Sequence, residues 1–156
     1  MKKVSYFLIF LVLNFGALGI GSWLMNSGPT SDWYMALHKA PWTPPGWVFG
    51  AAWTTIMVCF SFYMVALVQK NKAQLLLILF FIQWCLNVSW NWVFFNKHQM
   101  LLSEFILLAL TGIVGFFMFK YRKQMRYLNL LILPYFLWLL IANSLNIFAI
   151  FKNPLM

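Results

Sequence analysis

Long apolar runs alternate with brief polar interruptions along the chain, and that alternation carries the first information. Five runs, at about residues 4–25, 46–68, 75–95, 101–119 and 128–150, match or approach the roughly 20 residues a helix needs to cross a bilayer. The connections between them are short, except for residues 26–45. The pattern predicts an all-α membrane protein: a five-transmembrane-helix bundle forming one domain over residues 1–156, with the long first loop lying over one end.

Composition supports this. The chain is 63% hydrophobic and 8% charged, too little charge to cover the surface of a water-soluble domain of this size. The formal net charge of +9 raises the question of nucleic acid, but the basic residues lie between the apolar runs and form no stripe or aromatic-interleaved patch. Nucleic acid is therefore not expected as a partner; the lipid bilayer is. Five crossings put the termini on opposite sides. The N-terminal side collects Lys2, Lys3, Lys70, Lys72, Lys120, Arg122, Lys123 and Arg126, while the other side holds Lys39, Lys97 and Lys152. That asymmetry predicts a cytoplasmic N-terminus, with the long loop and the C-terminus outside. Lys2-Lys3 ahead of an apolar run imitates a secretory leader, but the run contains Asn14 and lacks a small-x-small cleavage site before Trp23, so it reads as the first span. Cys59 and Cys85 fall within spans, where buried thiols are expected rather than a disulfide, and no metal-type spacing occurs.

The loop ends in "KAPWTPPGWVFG", residues 39–50. Proline is tolerated in a first helical turn, so Pro44-Pro45-Gly46 marks the start of helix two and stiffens the approach to it. A stiff approach fixes Trp42 and Trp47, which belong either to an interfacial aromatic belt or to the lid of a pocket. Polar residues inside the spans favour the pocket. Trp53 lies early in helix two. Asn87, Trp90, Asn91 and Phe94 share one face of helix three, and helix five carries Trp138, Ala142, Asn143 and Asn146. Under the predicted topology all of these sit in the same half of the membrane, beneath the loop. An amide in hydrocarbon must find a partner, so the asparagines should face inward. They either glue helices together or, being clustered at one depth, line a small-molecule cavity with apolar walls and a few convergent polar groups.

The remaining chemistry is sparse. Pro134, inside predicted helix five, is expected to bend it and open the cavity. Asp32 and Glu104 are the only carboxylates, too few and too far apart to argue acid–base catalysis. Glu104 is expected to face headgroups or pair with Lys97; His38 and His98 are expected to be solvated. Ala17-x-x-x-Gly21 and Thr111-x-x-x-Gly115 match the small-xxx-small pattern of helix association.

The stretches "DWYMALHKAPWTPPGWVFGAAW", "NVSWNWVFF" and "PYFLWLLIANSLN" resemble the tryptophan-rich sensory protein and translocator protein family (TspO/MBR, the peripheral benzodiazepine receptor group), over nearly the whole chain. The resemblance implies a five-helix bundle that binds protoporphyrin IX or haem-like tetrapyrroles and isoquinoline- or benzodiazepine-type drugs, with no obligatory cofactor, and that forms a homodimer in several members. It assigns pocket roles to Trp33, Tyr34, Trp53, Asn87, Trp90, Trp138 and Ala142. Trp42 would join the lid, and Lys39 would be available to a propionate. It also raises light-dependent porphyrin breakdown, with Trp53 and Trp138 as the implicated residues. The sterol-associated C-terminal motif of animal members needs a tyrosine that "LNIFAIFK" lacks, and helix three offers only Cys85 and Ser89 as small residues for a dimer face. The expected function is a membrane receptor or sensor for tetrapyrroles and other flat lipophiles. A transporter of such ligands and a light-dependent degrading enzyme are the alternatives.

Overall fold

The computed structural model describes residues 2–71 and 74–153. Lys72 lies outside the described residues, as does the side chain of Lys2, so those two members of the predicted basic set have no structural counterpart here. Among the described residues, five helical stretches are long and apolar enough to cross a membrane. The helices are α1 (Lys2–Leu24), the short α2 (Asp32–Ala36), α3 (Gly46–Lys70), α4 (Gln74–Asn91), α5 (Met100–Lys120), the single turn α6 (Arg122–Met125) and α7 (Leu133–Lys152). The five long helices close into a ring in the order α1, α3, α7, α5, α4, each packed on the next.

The helices begin and end where their residues dictate. Pro45 caps α3, and the Val48 amide donates to its carbonyl at 2.9 Å. Between α6 and α7 the chain tightens into a 3₁₀ segment, Arg126–Ile132. Pro134 therefore falls in the first turn of α7, where its missing N–H costs nothing, and not inside the helix, so the proline that was expected to bend the helix instead begins it. At its far end α4 widens into a π turn, Trp92–Asn96, in which the Lys97 amide reaches back to the Trp92 carbonyl at 3.1 Å.

Packing is uneven along the bundle. In the half away from the loop, Phe60, Tyr63, Leu110, Phe117, Tyr135 and Leu139 are essentially sealed from solvent. Polar side chains there bond across the bundle: the Tyr63 hydroxyl donates to the Phe117 carbonyl at 2.8 Å, Gln83 Nε2 to the Tyr135 hydroxyl at 2.7 Å, and Asn14 Nδ2 to Ser61 Oγ at 2.9 Å. Each bond joins two helices, because unpaired polar groups in hydrocarbon are costly. Both small-residue patterns serve contacts within the chain. A Cβ on Gly21 would come within 2.8 Å of Asn91 Nδ2 on α4, and one on Gly115 within 3.2 Å of the Phe136 ring on α7. Both cysteines are free, but Cys85 is exposed on the outside of the bundle, contrary to the burial expected of it; its helix turns that position outward.

Candidate functional site

The half of the bundle next to the loop is hollow. A cavity of about 670 Å³ lies between α1, α3, α4 and the loop, within the roughly 300–1,000 Å³ usual for small-molecule sites. Its floor is Trp53, and one wall is Trp90 with Phe95 from the π turn. Asn87 and Asn91 add carboxamides, Ala17 and Ser22 give the α1 side, and Tyr34, Lys39 and Pro44 form the roof.

The roof is tied down at three places. Asn153, just past α7, grips His38 in the manner of a strand partner: its Oδ1 accepts from the His38 amide at 2.9 Å and its Nδ2 donates to the His38 carbonyl at 3.3 Å. Trp42 Nε1 donates to Ser144 Oγ at 3.2 Å. Trp33 stacks on His98, with ring centroids 4.1 Å apart and planes 12° from parallel. At the start of the roof, Gly28 adopts φ +45°, and a Cβ there would sit 2.8 Å from Met25 Sδ, so the turn requires glycine. Ser31 then caps α2 by accepting from the Tyr34 amide at 3.2 Å, which aims Tyr34 inward. Burial raises the Tyr34 phenol above its ordinary pKa, keeping it a hydrogen-bond donor. The Lys39 ammonium lies over the Tyr34 ring, 4.2 Å from its centroid.

Trp53 and Trp90 face each other at 6.5 Å between centroids and 23° between planes. Two van der Waals gaps of about 3.5 Å would need about 7 Å, so a flat ligand fits against one indole face and not between the two. Among the described residues the Asn87 carboxamide has no partner; only its backbone carbonyl is engaged, by Asn91 Nδ2 at 3.1 Å. Trp90 Nε1 is buried without an acceptor. A hollow that presents an unpartnered amide and an ammonium within apolar walls is suited to a flat lipophile carrying polar or anionic groups.

Of the residues singled out from sequence, Tyr34, Trp53, Asn87 and Trp90 meet in this cavity. Ala142 lines a second chamber of about 80 Å³ towards α5 and α7, which shares Tyr34, Lys39, Thr43, Phe49, Trp90 and Phe95 with the first. Trp138 lines neither: it is buried behind Phe49, edge-on at 5.3 Å. Trp33 stands outside on His98, and Trp42 is 54% exposed over Ser144 and Phe148. Two inner asparagines act as glue: Asn143 Nδ2 donates to Thr111 Oγ1 at 2.9 Å and Asn146 Nδ2 to Glu104 Oε2 at 2.9 Å. Glu104 is thus buried against α7 and does not face headgroups, while Lys97 lies over the Trp92 ring instead of pairing with it. Phe49 was not anticipated, although it lies four positions before Trp53 and so on the same helical face. The α1 wall was not anticipated either; small Ala17 and Gly21 were its only trace.

The sequence profile of the TspO/MBR family matches residues 8–151. The chain is 27% identical over 142 residues to the tryptophan-rich protein TspO of Chlorobaculum tepidum, covering 88% of this chain and 90% of that one. It is 28% identical to the tryptophan-rich sensory protein of Cereibacter sphaeroides, over 78% of this chain and 77% of that protein. With the human translocator protein it shares 32% identity over 73% of this chain and 70% of that one.

Proposed function

The chain belongs to the TspO/MBR family, and from that premise we propose that it is a membrane receptor of the sensor type for tetrapyrroles such as protoporphyrin IX or a haem-like macrocycle, with isoquinoline- and benzodiazepine-type compounds as smaller competitors. The observation that carries this reading is the cavity of about 670 Å³ with two indoles and the unpartnered Asn87 carboxamide on its walls. The macrocycle lies against Trp53 or Trp90, its ring edge within reach of Asn87, and its carboxylates beneath Lys39. Each stacked pair contributes about 0.5–1.5 kcal/mol beyond area burial, so loss of one indole is worth about tenfold in affinity. The lid is oriented away from the cytoplasm, because Lys3, Lys70, Lys120, Arg122, Lys123 and Arg126 gather at the opposite end.

A receptor is preferred to a transporter because the layer beneath the cavity is closed: Phe60, Tyr63 and Tyr135 are at most 1% exposed. The test is titration with protoporphyrin IX followed by its Soret absorbance, since the substitutions remove emitting tryptophans. Of Trp53→Ala and Trp90→Ala, at least the one that removes the stacked face should weaken binding about tenfold, and Lys70→Ala should leave it unchanged. Equal affinity in all three variants and wild type would overturn the reading. Protein-dependent flux of the porphyrin into sealed liposomes would put transport first.

A further inference from the structure

Glu104 is the one carboxylate within the described spans; the other acid, Asp32, is exposed on the lid. Glu104 is 6% exposed, and Asn146, facing it from α7, is 5% exposed. An ionisable group held among helices marks a functional site more often than a structural one. Its neighbours leave it short of hydrogen. Asn146 Nδ2 lies 2.9 Å from Glu104 Oε2, 3.1 Å from Ser103 Oγ and 3.2 Å from the Met100 carbonyl. An amide nitrogen has two hydrogens, so three acceptors compete for two donors. The Ser103 hydroxyl already donates to the Met100 carbonyl at 2.7 Å. Glu104 Oε1 and Asn146 Oδ1 are buried and receive nothing. Turning the amide over would set its oxygen against the Met100 carbonyl, which has no hydrogen to give, and against Ser103 Oγ, whose hydrogen already goes to that carbonyl, so the nitrogen-inward orientation stands.

Asn146 is also part of the wall of the 80 Å³ chamber, whose other walls are mainly hydrocarbon and aromatic: Leu107, Ala142, Leu145, Phe49 and Phe94. The two chambers thus differ in their polar groups. The larger is lined by the unpartnered Asn87 carboxamide; the smaller is bordered by Asn146, whose Oδ1 is an acceptor without a partner.

We propose that the Asn146–Glu104 pair is an anchoring site for a hydrogen-bond donor, a hydroxyl or protonated amine, borne on a flat apolar ligand whose body lies in the larger chamber. The donor arm passes Phe49, whose ring belongs to both walls, and donates to Asn146 Oδ1, with the Glu104 carboxyl behind it. The small chamber admits an arm and excludes a ring system. This deepens the cavity reading and rests on it: the ligand is oriented by polar groups towards Asn87 and Lys39 and by a donor towards α7. Lys39, which lines both chambers, disfavours a cationic arm relative to a neutral one, so the hydroxyl is the better fit.

The experiment compares three probes with one flat body, 2-naphthylmethanol, 2-naphthylmethylamine and 2-ethylnaphthalene, titrated into the purified full chain and referred to their partition into the same micelles. Wild type should prefer at least one donor probe to the hydrocarbon by about fivefold. Glu104→Gln keeps the shape but removes the carboxyl behind Asn146 that accepts from its Nδ2 and strengthens its Oδ1 as an acceptor, so the preference should fall towards one while hydrocarbon binding is kept. Asn146→Ala, which removes the anchoring oxygen itself, should give the same loss. A preference that persists in both variants, or equal binding of the three probes by wild type, overturns the proposal. Protoporphyrin IX is titrated in parallel. Retained porphyrin binding with no donor preference sinks the anchor alone, whereas loss of both sinks the cavity reading.

Discussion

Replacing Asn153 by alanine tests whether the roof is held by side-chain chemistry or by the stiffness of its own chain. Asn153 makes a short bond to the His38 amide at 2.9 Å and a longer one to the His38 carbonyl at 3.3 Å, and it is 5% exposed. Its nitrogen also donates to the Ala149 carbonyl at 2.8 Å, which fixes the carboxamide before it meets the loop. A neutral hydrogen bond contributes about 1 kcal/mol net, and the longer one less, so Asn153→Ala should shift roof opening by about 1–2 kcal/mol, or about 5- to 30-fold. Hydrogen exchange at the His38 amide reads this directly, because that N–H has Asn153 Oδ1 as its partner. Exchange should accelerate by that factor at His38 and change little at amides within α3. Asn153→Asp keeps the acceptor and loses the donor, so it should fall between the two. Unchanged His38 exchange in Asn153→Ala would refute the reasoning, and the prolines alone would then hold the roof.

Two further substitutions test the packing around the cavity. Gln83→Leu strips the Tyr135 hydroxyl, fully buried between helices, of its partner, and should cost about 1–3 kcal/mol in thermal unfolding in detergent, with Gln83→Glu-type charge avoided; a melting temperature equal to wild type would show that the bond is replaced. Gly28→Ala forces a side chain into a positive-φ turn against Met25 and should destabilise the roof by about 1–2 kcal/mol, read as faster proteolytic cleavage between residues 26 and 45; unaltered cleavage would mean that the turn relaxes at no cost.

The five-helix architecture was legible because burial in hydrocarbon leaves a plain mark: a run long enough to span, bounded by residues that cannot. The depth of Trp53, Asn87 and Trp90 was legible for the same reason, since position along a spanning helix is position across the membrane. Rotation was harder to read. Trp138 lies at the same level as the cavity, but its face of α7 is screened by Phe49, and no spacing within α7 reports what another helix places in front of it. Asn143 and Asn146 gave the same signal as Asn87, yet the α5–α7 contact supplied them with Thr111, Ser103 and Glu104 as partners. Pro134 misled because a 3₁₀ segment of apolar residues looks, in sequence, like the first two turns of a longer helix.

The widened last turn of α4 has a consequence for the shape of the hollow. In an unbroken α-helix, positions five apart point about 140° away from each other. Trp90 and Phe95 are five apart and yet border the same void. The wider turn keeps both rings of one helix on the same wall, so a sequence change that restored regular α geometry at unchanged length would swing Phe95 out towards lipid and leave that flank unwalled.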